Sequence, residues 1–276
     1  MTRFLLLTVA GAAFAAAAHP FSGPAATVFA ERHALLAADV KCSLLAPGAR
    51  LALEAGALQA RSALARTGAS VAEMDALAAR AAEIGRAKAC DDAAILAAAG
   101  AAREGYKVWA RLHERQFPGA QSFWLARRTP DPQGGWFLYQ PIGDGEGRVG
   151  LCSTESGPQL IAWVNQNAAA ARLILRDPRR TQAPRFLAPN AFAEPAAFRP
   201  TLPAPGETIV VHARARTVEA RGVRFQFDDA ALALMSRLDS REAAILELET
   251  PAGTIRRAIE IGDLAAARAF LMARSD

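Results

Sequence analysis

The hydrophobic period changes near Gln116-Phe117-Pro118-Gly119, and no other feature constrains the fold as much. Upstream, apolar residues recur every three or four positions, which is the spacing of one helix face. Downstream they come in short runs, some alternating singly, as strands require. A chain with both patterns in separate halves is an α+β protein. The expectation is an amino-terminal four-helix bundle over residues 22–115, then an antiparallel β-sandwich or partly open barrel with a terminal helix over residues 119–276.

Four helices account for the first half. One runs from about Ala25 to Leu45, with Phe29, His33, Leu36, Val40 and Leu44 on its stripe. Pro47 opens a second, which Thr67-Gly68 ends near Arg66. Ser70 with Glu73 makes a capping box for the third, whose stripe is Val71, Met74, Leu77, Ala81 and Ile84. Asp91 and Asp92 suit the start of a fourth, since negative charge is favoured at a helix amino terminus. Its stripe is Ile95, Ala99, Ala102, Tyr106, Trp109 and His113. The aromatic members read as core. His33 and His113 read as partly buried, because two histidines lack the third ligand a metal site needs. Short connections favour an up-down-up-down order.

Where the chain lives bears on its three cysteines. MTRFLLLTVAGAAFAAAAHP has a positive residue, an apolar run and an A-x-A step at Ala16 and Ala18, the grammar of a secretory leader over residues 1–18. Cleavage before His19 would deliver a periplasmic or secreted chain, and no later segment is apolar enough to span a bilayer. In that oxidising setting cysteines pair. The end of the first helix and the start of the fourth fall at one end of the bundle, which brings Cys42 to Cys90. Two free thiols, or a bridge involving Cys152, are the alternatives.

In the second half, "SFWLARR", "WFLYQPI", "RVGLCST", "QLIAWVN" and "ARLILRD" read as successive strands of a meander. Seven prolines between Pro178 and Pro205 oppose helix and central strand, so residues 178–206 form a long loop. "ETIVVHARAR" and "VRFQF" are further strands. A short helix over 228–238, a hairpin and a helix over 263–274 complete the chain. The run "VRFQFDDAALALMSRLDSREAAILELETPAGTIRRAIEIGDLAAARAFL", residues 223–271, resembles the carboxyl-terminal part of the invasion-associated locus B proteins. The shared order is a strand, a helix opening at Phe227-Asp228, a hairpin, and a closing helix at Leu264-Ala265-Ala266-Ala267. That resemblance implies a β-rich fold and an exported setting. The family's cysteine pair before the strand is missing here and the helical half has no counterpart, so no functional residue carries over.

Chemistry is sparse. The chain lacks G-x-S-x-G, a phosphate-binding loop, H-E-x-x-H and C-x-x-C. "GDGEG" reads as a hairpin turn, since it lacks the alternating oxygen ligands of a calcium loop. No cofactor or metal is expected. With 32 basic and 27 acidic residues, the excess of positive charge is too small to indicate a nucleic-acid partner. Cys152 or Ser153 could be a nucleophile only with His212, the one histidine of the β-rich half. His212, Arg214 and Arg216 share a strand face, and Arg224 lies across a hairpin from Arg214. Such a basic surface suits an envelope protein, an anionic lipid or a polysaccharide. Non-catalytic binding in the bacterial envelope is the leading expectation. A periplasmic hydrolase or transferase using Cys152 or Ser153 with His212 is the alternative, and an assembly linked through Cys152 is a third.

Overall fold

The structure, a computed structural model, describes residues 23–132, 134–143, 145–179 and 200–272. The expected leader and most of the proline-rich stretch lie outside these residues. Four helices come first: α1 (Pro24–Cys42), α2 (Pro47–Arg66), α3 (Val71–Ala87) and α4 (Ala93–Ala110). Eleven strands and two further helices follow: β1 (Glu114–Pro118), β2 (Phe123–Arg127), β3 (Trp136–Ile142), β4 (Gly147–Thr154), β5 (Gly157–Val164), β6 (Ala170–Arg176), β7 (Thr208–His212), β8 (Ala215–Glu219), β9 (Gly222–Gln226), α5 (Asp229–Met235), β10 (Ala243–Thr250), β11 (Gly253–Glu260) and α6 (Leu264–Met272). The α+β class is as the change of period requires.

The capping signals act where the sequence places them. Ser70 Oγ accepts from the Glu73 amide at 3.2 Å, and the Glu73 carboxylate accepts from the Ser70 amide at 2.8 Å. Asp92 accepts from the amides of Ala94 and Ile95. Cys42 and Cys90 are joined in a disulfide, with Cα atoms 5.5 Å apart. Lys41 Nζ donates to the carbonyls of Arg86 and Lys88, so the same end is tied twice.

Four details differ from the periodicity reading. Helix α1 stops at Cys42, because Ser43 turns left-handed and the buried Asp39 carboxylate takes the Leu45 amide. Val40 and Ile84 stay exposed, since α1 buries a ridge of Ala26, Phe29, Ala34, Leu35 and Ala38 instead. Small residues win there through close approach: a Cβ added at Gly85 of α3 would sit 2.0 Å from the Ala34 carbonyl oxygen. His113 is exposed, because α4 ends at Ala110 and β1 begins at Glu114. The helices also depart from a regular up-down-up-down ring. Helix α1 lies against both α2 and α3, while α2 turns its other side to α6.

The strands form two open antiparallel sheets, in the orders β1-β2-β3-β4-β5-β9-β8 and β11-β10-β6-β7. The meander holds from β1 to β5, and then β6 crosses to the second sheet. "ETIVVHARAR" is not one strand. It breaks at Ala213-Arg214, where the Ala213 amide still bonds Ala171 of the second sheet and the Arg214 amide bonds Gln226 of the first. Apolar side chains from the facing sides of both sheets make one core, which α6 extends to Ala55 of α2 and Trp109 of α4. Phe29, Leu64 and Met74 anchor a smaller core within the helical layer.

Candidate functional site

Cys152 faces away from the main core, on the side of β4 that alternation assigns to it with Arg148. It is nevertheless wholly buried, packed with Trp136 and Ile161 beneath the turn at Gly134-Gly135. Its thiol donates to the Gly134 carbonyl at 3.0 Å. Burial pushes the thiol pKa up, against the opposing pull of Arg224, whose Nη1 lies 3.9 Å from the sulfur. A thiol held protonated and covered is a poor nucleophile. Ser153 next to it is exposed, and its amide bonds the Gly135 carbonyl. His212 belongs to β7 in the other sheet, paired in register with Arg172, so sheet topology separates the members of the expected dyad.

The same crossover divides the basic stripe. His212 ends a strand of the second sheet, and exposed Arg214 lies in the link between sheets. Arg216 sits on the edge strand β8, where Nε donates to the Ala168 carbonyl at 2.8 Å. Arg224, one strand further in, pairs with Glu219 at 2.7 Å on the opposite face of that sheet. The four residues share one margin of the sandwich without forming one face.

The place where the two halves of the chain meet is more distinctive. One joint is apolar: the Trp109 ring stands edge-on to Phe270 at 5.2 Å, and the Arg128 guanidinium covers both rings. The other is polar. Asp263, buried just before α6, receives Arg66 Nη1 at 3.2 Å and Gln59 Nε2 at 3.5 Å, both from α2. Burial raises the Asp263 pKa above the ordinary 3.8, and Arg66 and Ser62 oppose that shift. Arg241, also buried, donates to the Ala69 carbonyl at the start of α3 and pairs with Asp239.

Between these polar contacts the seam opens into a cavity of about 190 Å³. Leu58, Arg61, Ser62, Ala65 and Met74 line it from the helical layer. Residues 236–240, Ile261, Gly262 and Asp263, and the first turn of α6, line it from the sandwich. Within the sandwich, Gly262 lets the cavity's floor pack against the turn after β1: its φ is +47°, and an added Cβ would meet the Gly119 Cα at 2.7 Å. The seam is not legible in the sequence, because its residues carry no motif. Asp263 read only as the start of a helix and Arg66 only as the end of one. Among the described residues no cluster of three or more metal-ligating side chains occurs, and no helix is long and apolar enough to cross a membrane. No protein-family model matches the chain, and comparison with curated proteins and with solved structures finds no match.

Proposed function

We propose that this chain is an exported, non-catalytic binding protein of the bacterial envelope, and that it binds at the seam between its helical layer and its β-sandwich. The observation that carries the reading is the seam cavity, a concave site at the junction of two units in which Leu58, Ala65, Met74, Leu238 and Ile261 stand among charged and hydroxyl side chains. Export is supported by the disulfide, by the leader-like residues 1–18, and by the resemblance of residues 223–271 to exported proteins. The exposed His212, Arg214 and Arg216 offer a margin on which an anionic lipid, a polysaccharide or an envelope protein could rest.

Native mass spectrometry of protein purified from the bacterial envelope tests the proposal. The expected spectrum contains a small-molecule adduct that denaturation releases. Ala65→Leu fills the cavity from its α2 wall and should abolish the adduct while the protein remains folded by circular dichroism. An adduct retained by that variant, or no adduct in the parent protein, contradicts the proposal.

A further inference from the structure

We infer that the seam cavity takes a small carboxylate with a short apolar body, a conclusion that rests on the seam being the binding site. The size sets the first limit. About 190 Å³ is room for a short-chain metabolite and too little for the whole of a lipid or a sugar polymer.

Charge sets the second limit. The two acids in the lining already have partners that stand outside it. Asp263 is held by Arg66, and Asp239 by Arg241 at 2.9 Å. Neither carboxylate is left to receive a cationic ligand. The lining cations are placed differently. Arg61 reaches the cavity from α2, and its ion-pair partner Asp75 is 61% exposed, where such a pair contributes little. Arg237 comes from the opposite wall, just beyond α5, and is exposed. The charge offered to a ligand is therefore positive: Arg237 carries it outright from the sandwich, and Arg61 from the helical layer can exchange its exposed Asp75 partner for a ligand.

The walls set the third limit. Leu58, Ala65 and Met74 on one side face Leu238 and Ile261 on the other, so an alkyl segment can leave water there. Ser236, the nearest hydroxyl to Arg237 in sequence, is already engaged: it donates to the Leu232 carbonyl and accepts from Arg268 at 2.6 Å. Guanidinium groups pair with carboxylates by directional, charge-assisted hydrogen bonds. A carboxylate head between Arg61 and Arg237, with its chain directed toward Leu58, Ala65, Met74, Leu238 and Ile261, matches the charge and the apolar walls of the lining.

Calorimetric titration of the leaderless protein with hexanoate, hexan-1-ol and hexylammonium, at one ionic strength, tests the inference. Hexanoate should bind, the alcohol about tenfold more weakly, and the ammonium not at all; added salt should weaken hexanoate alone. Arg237→Gln should lower hexanoate affinity by about tenfold with an unchanged melting temperature, because the side chain is exposed. Equal affinity for all three probes, or preference for hexylammonium, overturns the ligand class and leaves the binding site standing. No hexanoate binding, or unaltered affinity in both Arg237→Gln and Arg61→Gln, also overturns it. The native-mass test of the seam does not depend on these probes, so failure of the ligand class and failure of the site give different results.

Discussion

Asp263 is the buried carboxylate that ties α2 to the sandwich across the seam. Its carboxylate is buried beside a half-buried arginine, and burying charge costs more than such a pair returns unless hydrogen bonding is complete. Because its native pKa is raised above 3.8, the group contributes stability that is fully present below the ordinary value and is lost as pH rises through the native one. Asp263→Asn should therefore cost little at neutral pH. The parent should gain on the variant as the pH is lowered, in paired denaturant titrations at several pH values. A variant that loses stability equally at every pH would show that the carboxylate is not strained by burial. Removing the other partner is different. Arg66→Met leaves the carboxylate buried without its cation and should cost about 3 kcal/mol at neutral pH. At Cys152 the expectation is kinetic: iodoacetamide should label it only as fast as the protein unfolds, since the sulfur is covered and protonated. Rapid labelling of the folded protein would restore the thiol as a reactive group.

At the scale of elements, close backbone approach decides the packing of the helices. Gly85 lets α3 come against α1 at Ala34, so Gly85→Ala should lower stability by about 1–3 kcal/mol, with helix content by circular dichroism unchanged. No effect would mean that the two helices are further apart. The elements themselves were legible in the sequence. Helix starts followed from Pro47, which has no amide to satisfy, and from Ser70 and Asp92, whose side chains accept from the first backbone amides whatever lies around them. The alternation of "VRFQF" likewise announced a half-buried strand, and Val223, Phe225 and Phe227 are its buried set. What escaped was non-local. Nothing in "ETIVVHARAR" marks the step from one sheet to the other, because no glycine or proline punctuates it and the two halves alternate alike. The apolar spacing that included Val40 and Ile84 pointed to a large-residue stripe, whereas alanine and glycine make the contact. The seam was illegible for the same reason, since it joins residues about 200 positions apart, such as Arg66 and Asp263.

Over the whole molecule, the disulfide and the seam act on the same body. Cys42–Cys90 closes a loop with a sequence separation of 48, worth about 4 kcal/mol in a chain-entropy account. Cys42→Ser with Cys90→Ser should lower the denaturant midpoint accordingly. Because Ala55 and Trp109 of the helical layer belong to the sandwich core, unfolding should remain one transition followed by near- and far-ultraviolet circular dichroism. Separate transitions would show two independent units. We propose that ligand is held where these units meet. Hydrogen–deuterium exchange on protein purified from its native source, before and after denaturing release of any bound small molecule and refolding, tests that proposal. Slower exchange in the ligand-bound state over residues 58–65, 236–240 and 261–266 is the predicted result. Protection confined to β8 and the sheet margin, or no difference between the two states, would contradict it.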